Sequence, residues 1–145
     1  MSVVTNVLVV TVSWFDRETM EPLTKQDDAR DWRGAFTSVT DDERMDLWIH
    51  DGKAPECQVW VGAFNHLNRP ALLADLESLR WDEPAGVKVL INYNDEETFG
   101  LWMFNNGRLQ EMPLPGWHRR PLVTDARTSH GMGKVEVGYL ERDDA

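Results

Sequence analysis

The pattern of apolar and polar positions is clearest between Glu56 and Trp81, and the predicted fold is built around that stretch. Side chains from Glu56 to Phe64 alternate with a period of two, as in a β-strand whose two faces differ. The smaller apolar side chains share one face of this strand. We expect the core to lie on that face, which carries Cys57, Val59, Val61 and Ala63.

An amphipathic helix should follow this strand, because leucines recur at helical spacing while acidic residues face the other way. Asn68 lies at the N-cap position, and Pro70 lies in the first turn, where its missing N–H costs no hydrogen bond. The helix should end before Pro84, since proline disfavours helical geometry in the preceding residue. The leucines predicted to pack against the sheet are Leu72, Leu73, Leu76 and Leu79.

Further strands are predicted on both sides of this unit. The run from Val3 to Val12 is β-branched and almost continuously apolar, which is typical of a central strand covered on both faces. Asn105-Asn106-Gly107 predicts a type I′ hairpin turn, because Asn-Gly tolerates positive φ at both central positions. The other predicted strands are Val87 to Tyr93, Phe99 to Phe104, Arg108 to Met112 and an edge strand at Val135 to Leu140.

Two long segments carry weaker or conflicting signals. In the first, we predict a loop at Asp16 to Pro22 and then a helix from Thr24 to Phe36. Thr40 to Glu43 resembles a capping box and predicts a helical turn that leads into a strand at Met45 to His50. Asp51-Gly52 should then turn the chain towards the strand at Glu56. In the second segment, three prolines between Pro113 and Pro121 predict an extended surface loop without regular structure.

The order of these elements predicts an α+β protein. We expect a single domain over residues 1–145, since this length suits one ordinary core. A mostly antiparallel sheet should carry one or two helices packed on one face, in a ferredoxin-like split β-α-β arrangement with added strands. Alternatively, residues 113–145 form a C-terminal segment that is only loosely attached to this domain.

The chain is acidic, with a formal net charge of −10, and two segments carry that charge. Residues 16–51 contain eleven acidic and five basic side chains, and residues 82–97 contain five acidic and one basic. Such a field repels phosphate backbones, which argues against direct nucleic-acid binding. It is compatible with a basic protein partner, although a charged surface that keeps the protein soluble is the simpler explanation.

Cysteine usage and the N-terminal pattern favour a cytoplasmic protein. Cys57 is the only cysteine, so no internal disulfide can form and a reducing compartment is expected. The N-terminal stretch MSVVTNVLVVTVSW is apolar but is interrupted by polar residues and has no basic leader. We therefore expect it to be a strand, neither a signal peptide nor a membrane span, and we expect no membrane association.

Motifs for catalysis or for cofactor binding are weak. The four histidines are far apart in sequence, so no metal site is predicted, and neither is a cofactor. Cys57 lies on the apolar strand face, where a thiol is expected to be buried and inert. Gly131 to Lys134 lacks the spacing of a phosphate-binding loop. No residue is therefore assigned a catalytic role.

The end of the central strand offers the best candidates for binding. Trp60 and Phe64 share the face opposite Cys57, so either a helix covers them or they form an exposed aromatic patch. Asn65 and His66 precede the predicted helix start, where a ligand would meet the positive end of the helix dipole. The complete set of candidate binding residues is Lys53, Glu56, Trp60, Phe64, Asn65 and His66.

A family resemblance covers about Gly52 to Met103. Its pattern is Gly52-Lys53-Ala54-Pro55-Glu56-Cys57, then Val59-Trp60, then Gly62 to Leu67, the leucine helix and Trp81. In this pattern the chain resembles a group of uncharacterised small proteins of actinobacteria and their phages. The resemblance implies no activity. It does imply a bacterial or phage cytoplasmic origin, and it favours a defence-related interaction role.

Three classes of function follow from these observations. The first is a small acidic, Trp-rich cytoplasmic module that binds a protein partner without catalysis, such as an inhibitor or accessory factor. The second is an enzyme or small-molecule-binding protein with a site near His50, Glu56 and His66. The third is a structural component, or homo-oligomer, that assembles through strand edges near the C-terminus. We predict the first, because the chain has seven tryptophans and an acidic surface but no catalytic motif.

Overall fold

The computed structural model describes residues 4–93, 95–120 and 138–144. Within these ranges the α-helices are α1 (Asp16–Met20), α2 (Asp42–Met45) and α3 (Arg69–Ser78). The strands are β1 (Val4–Thr11), β2 (Thr37–Ser38), β3 (Gln58–Asn65), β4 (Lys88–Tyr93), β5 (Gly100–Asn105), β6 (Arg108–Glu111), β7 (Trp117–Arg120) and β8 (Tyr139–Arg142). Short 3₁₀ helices span Glu21–Thr24, Asp46–Trp48 and Pro84–Gly86.

Six strands form one antiparallel sheet in the order β2-β3-β1-β4-β5-β6, and β7 pairs with β8 in a second sheet. Both β3 and β4 run antiparallel to β1, which lies between them, so they are parallel to each other. Because α3 connects β3 to β4, this unit is a split β-α-β arrangement. The predicted α+β class, with a mostly antiparallel sheet, is confirmed.

The sheet buries one of its two faces much more deeply than the other. On β1, Thr5, Val7, Val9 and Thr11 are buried, whereas the residues between them are only half-buried. The core cluster joins the buried side of the sheet to side chains of α1 and α3. β1 is therefore central, as predicted. Among the described residues, the buried cluster lies on one side of β1, so the prediction that both of its faces are covered is wrong for this part of the chain.

The predicted orientation of β3 is wrong. Gln58, Trp60 and Phe64 are buried on the core side, whereas the predicted core residues Cys57, Val59 and Val61 are half-buried and Ala63 is exposed. The two aromatic rings remove more apolar area from water than the smaller side chains of the opposite face. Gln58 is tolerated in the core because its Oε1 accepts a hydrogen bond from Thr11 Oγ1 at 3.0 Å.

α3 forms as predicted. Asn68 caps it, with Oδ1 accepting a hydrogen bond from the Ala71 N–H at 3.2 Å. Leu72 and Leu76 are fully buried, and Leu73 and Leu79 pack at the margin of the core. Trp81 stabilises the end of the helix, because its indole N–H donates a hydrogen bond to the Leu76 carbonyl at 2.8 Å.

The predictions of β4, of β5 and β6, and of the turn between β5 and β6 are confirmed. Val89, Ile91 and Tyr93 are buried along β4 and Val87 is buried just before it, as their alternation predicted. β5 and β6 are joined by Asn106 and Gly107, whose φ angles of 53° and 77° are those of a type I′ turn.

The region between β1 and β2 differs from its prediction. α1 and a 3₁₀ helix occupy the whole of the predicted loop at residues 16–22, and Met20 is buried in the core, so that prediction is wrong. The fully buried carboxylate of Asp16 also accepts hydrogen bonds from the Asp82 and Glu83 N–H groups at 2.7 and 3.2 Å. No helix forms over residues 25–36. Trp32 nevertheless reaches the core, where its indole N–H donates to Asp75 Oδ2 at 2.7 Å.

The strand predicted at residues 45–50 is absent. Asp41 caps α2 by accepting a hydrogen bond from the Arg44 N–H at 2.9 Å, and the chain continues in a 3₁₀ helix to Trp48. The predicted turn is present, since Asp51 and Gly52 both have positive φ between the bridged residues His50 and Lys53. The triplet from Leu47 to Ile49 has high strand propensity, but it does not pair with any strand of the described residues.

The predicted loop from Pro113 to Pro121 contains β7, so that prediction is wrong for residues 117–120. Pro113 and Pro115 precede β7, so they remove no hydrogen bond of its ladder. β8 contains the last two residues of the predicted edge strand, whereas Val135 and Val137 lie outside the described residues.

Arg119 joins the β7–β8 sheet to the main sheet. Its Nε donates to both carboxylate oxygens of Glu111 at 2.7 and 2.9 Å, and its Nη1 donates to the Gly138 carbonyl. Nη1 also lies 3.5 Å from Glu96, whose side chain is almost fully buried. The Glu96 carboxylate in turn accepts hydrogen bonds from the Tyr93 and Leu140 N–H groups at 2.8 and 2.6 Å. These bonds connect four strands.

Tyr93 lies beside this network, and burial raises the pKa of its phenol above the ordinary value of 10.0. The positive charge of Arg69 opposes that rise, and the negative charge of Glu96 adds to it. The phenol therefore stays neutral around pH 7. The stability that the buried neutral phenol contributes is lost only as the pH rises from the ordinary pKa of tyrosine through the raised pKa of Tyr93.

Candidate interaction surface

The predicted aromatic patch at the end of β3 does not exist as a surface. Trp60 and Phe64 are only 3% and 2% exposed, so neither can contact a partner. Phe64 stacks edge-on against Phe36 and Trp32, with ring centroids 5.3 and 5.7 Å away. Asn65 is exposed, and so is His66, which has a positive φ of 53° in the turn before α3.

The alternative site near His50, Glu56 and His66 is not assembled. Glu56 precedes the first residue of β3 and His66 follows its last residue. The seven residue steps along β3 alone separate these positions by about 23 Å. Within the described residues, no three His, Cys, Asp or Glu side chains are close enough to hold a metal ion.

Large apolar side chains are instead exposed where β1 ends. We call this group the tryptophan surface: Trp14 (60% exposed), Phe15 (71%), Leu47 (79%), Trp48 (51%) and Ile49 (49%). It combines the segment that follows β1 with the segment that follows α2. Leaving such side chains in water is unfavourable, and apolar side chains that are exposed close together often mark a site of interaction.

Polar contacts hold these two segments in place. The guanidinium of Arg17 lies 4.2 Å from the ring centroid of Trp14, and its Nη1 lies 3.3 Å from the Asp42 carboxylate. Trp48 is anchored from the other segment, since its indole N–H donates to the Val39 carbonyl at 2.8 Å. The two rings are therefore positioned before a partner arrives, which lowers the entropic cost of binding.

Trp14 separates two open grooves. One has a volume of about 1050 Å³ and is lined by Trp14 and Phe15 together with Glu18, Glu21 and Asp27. The other has a volume of about 660 Å³ and is lined by Trp14 and Met45 together with Lys53 and Glu56. Two of the candidate binding residues predicted from sequence, Lys53 and Glu56, therefore border the tryptophan surface. Asn65 is the last residue of β3 and His66 follows it, so both lie at the other end of that strand.

The surroundings of the tryptophan surface are acidic. Residues 16–51, which contain α1 and α2, carry a net charge of −6. Arg17 and Arg44 are already engaged with Asp42 and Asp41, so they offer little positive charge to an approaching anion. The exposed carboxylates of this region belong to Glu18, Glu21, Asp27, Asp28, Asp31, Asp42, Glu43, Asp46 and Asp51.

Comparisons of the chain with protein-family models, with curated proteins and with solved structures found no significant match. The resemblance to small actinobacterial and phage proteins therefore stays a prediction. Among the described residues, the longest helix is α3, and no helix has the length and apolar character needed to cross a bilayer.

Proposed function

We propose that this protein is a binding module whose tryptophan surface takes a basic, partly apolar segment of another protein. The observation that carries the proposal is the exposure of Trp14, Phe15, Leu47, Trp48 and Ile49 within an acidic surround. Tryptophan is among the residues that most often dominate the energy of protein interfaces. Acidic side chains around apolar anchors suit a partner with lysine or arginine beside its own apolar residues.

The two parts of the surface have different tasks in this proposal. The rings contribute affinity, because covering them removes apolar area from water. The carboxylates contribute attraction over distance and raise the rate at which a basic segment arrives. A nucleic acid has the wrong sign of charge for the same surround.

The proposal includes a cytoplasmic setting, which the single cysteine supports. A role as an inhibitor or accessory factor of bacterial or phage origin fits a module that binds without transforming its partner. The resemblance over Gly52 to Met103 is what supports that origin.

Replacing Trp48 with alanine should weaken binding to a basic peptide about 30-fold, which is the effect of losing one interface hot spot. The probe is a displayed peptide library that combines lysine or arginine with leucine or aromatic residues. The tightest binder is then titrated by calorimetry. Trp117→Ala is the matched control, because Trp117 lies in β7 and outside the tryptophan surface.

The peptide with its basic residues replaced by glutamate should not bind. Equal affinity of Trp48→Ala and wild type for the basic peptide would contradict the proposed surface. Failure of this library to yield any binder would contradict the proposed partner chemistry.

Association of the basic peptide should slow as salt is raised, since the Debye length falls from about 10 Å at 0.1 M salt to about 3 Å at 1 M. Stopped-flow tryptophan fluorescence measures this rate directly. The dissociation rate should change much less, because it depends on the covered rings. An association rate that is independent of salt would leave the acidic residues with no part in recognition.

A further inference from the structure

The two grooves that flank Trp14 differ in charge. The smaller one, which we call the neutral groove, is lined by one basic and one acidic side chain, Lys53 and Glu56. The larger one, which we call the acidic groove, is lined by four carboxylates and two basic side chains. The charged residues of the acidic groove are Arg17, Glu18, Glu21, Lys25, Asp27 and Asp42. A cationic side chain that reaches Trp14 is therefore attracted towards the acidic groove.

Helical spacing brings two of these carboxylates to the same side as the Trp14 ring. Glu18 is four residues after Trp14 and Glu21 is seven residues after it, and the backbone is helical from Phe15 to Glu21. Side chains at this spacing lie on one face of a helix, one above another. The indole ring and the two carboxylates therefore contribute to one side of the acidic groove.

Glu18 and Glu21 lack a counter-charge within the described part of the chain. Both side chains are exposed, and neither takes part in an ion pair with another described residue. Arg17, four residues before Glu21, is directed instead to the Asp42 carboxylate at 3.3 Å. Like charges three residues apart on a helix repel each other. A cation placed between Glu18 and Glu21 would relieve that repulsion.

The acidic groove already holds one guanidinium, which shows that its chemistry suits a cation of this kind. Arg17 lies 4.2 Å from the ring centroid of Trp14 and is also in contact with Asp42. The face of the ring attracts the cation through its quadrupole, and the carboxylate attracts it through charge and hydrogen bonding. Phe15 lines the same groove and is 71% exposed, so a second ring is available to an incoming cation.

We propose that the acidic groove takes one lysine or arginine side chain of the basic segment. The charged end of that side chain lies between Glu18 and Glu21. Its alkyl stem lies against the exposed rings of Trp14 and Phe15, because long basic side chains combine an apolar stem with a charged head. This inference rests on the proposed function and adds that the carboxylates are not equivalent. Those of the acidic groove hold the cation by contact, whereas the others act only over distance.

A double-mutant cycle tests this assignment, with the basic peptide selected from the displayed library as the probe. In the protein, Glu18→Gln and Glu21→Gln are combined, which keeps the size of both side chains and removes their charge. In the peptide, each lysine or arginine is replaced in turn by glutamine. The protein variant should weaken binding of the unmodified peptide about tenfold. For one of the peptide variants it should cause no further loss, because that peptide already lacks the cation of the acidic groove.

The matched control combines Glu43→Gln with Asp46→Asn. It removes two exposed carboxylates of the same acidic region that lie outside the lining of both grooves. This control should slow association of the peptide but weaken binding much less than the groove variant does, since long-range attraction mainly affects the association rate. Calorimetry measures the affinities, and denaturant unfolding verifies that each variant is folded.

Equal losses of affinity for the groove variant and the control variant would overturn the inference. A groove variant whose effect is the same for every peptide would overturn it as well. In both cases the proposed function would stand, provided that Trp48→Ala still weakens binding. If the library yields no binder, or if Trp48→Ala binds as the wild type does, the proposed function fails and this inference fails with it.

Discussion

Replacement of Arg119 by alanine is expected to lower the free energy of unfolding by about 3–5 kcal/mol, which is typical of breaking a buried ion pair from one side. The Arg119 side chain is 11% exposed and its partners Glu96 and Glu111 are 1% and 26% exposed. Removing the guanidinium leaves the Glu96 carboxylate buried without its cationic partner. Glu96 retains its hydrogen bonds from two backbone N–H groups, so the loss should be large but not complete.

Denaturant unfolding followed by tryptophan fluorescence measures this change. Arg120→Ala is the matched control, because Arg120 is the next residue and its ion pair with Glu141, at 3.3 Å, is largely exposed. Loss of that pair should cost no more than about 1 kcal/mol. Equal unfolding curves for the two variants would show that the β7–β8 sheet is loosely attached. They would thereby favour the alternative in which residues 113–145 are not integrated into the domain.

Phe36→Ala is expected to lower the free energy of unfolding by a similar amount, about 3–5 kcal/mol, because it empties a fully packed aromatic site. The Phe36 ring lies 5.7 Å from the centroid of Trp32 and 5.3 Å from that of Phe64. Edge-to-face contacts of this kind add to the free energy of burial. The cavity would lie between β3 and the segment that precedes β2.

Phe15→Ala is the control for this second prediction, since it deletes the same side chain from a position that is 71% exposed. Its effect on the free energy of unfolding should be within about 0.5 kcal/mol. If Phe36→Ala unfolds at the same denaturant concentration as Phe15→Ala, the aromatic cluster does not contribute to stability as its geometry implies.

The parts of the fold that were predicted correctly depend on local chemistry. Asn68 and Pro70 mark the start of α3 because capping and proline geometry involve only a few neighbouring residues. The turn at Asn106-Gly107 is equally local, since positive φ is a property of the two residues themselves. The split β-α-β order then follows, because a parallel pair of strands requires a long connection.

The errors arise where distant contacts decide the structure. On β3, both faces carry apolar residues, so alternation alone could not show that Trp60 faces the core. Asp16 begins a helix because its carboxylate binds backbone N–H groups 66 and 67 residues away, which no local pattern reveals. In the same way, residues 45–50 have strand propensity but lack a partner strand.

Sequence reasoning found only the margin of the proposed interaction surface. Lys53 and Glu56 border it, whereas the sequence places Trp48 in a predicted strand and Trp14 at the end of the apolar N-terminal stretch. A useful signal is present: the apolar triplet Leu47-Trp48-Ile49 lies between the polar residues Asp46 and His50 and does not alternate. Whether such a triplet is buried depends on what packs against it, and that information lies in the tertiary structure.

A titration of the ¹⁵N-labelled protein with the selected basic peptide, followed through the indole N–H signals in two-dimensional NMR, tests the proposed function most directly. Each tryptophan gives one indole signal, so the seven residues act as reporters across the molecule. The signals of Trp14 and Trp48 should shift on binding. Those of Trp32 and Trp81, whose indoles donate to Asp75 and Leu76 inside the protein, should remain in place. Saturable binding that leaves the Trp14 and Trp48 signals unmoved would contradict the assignment of the tryptophan surface as the binding site.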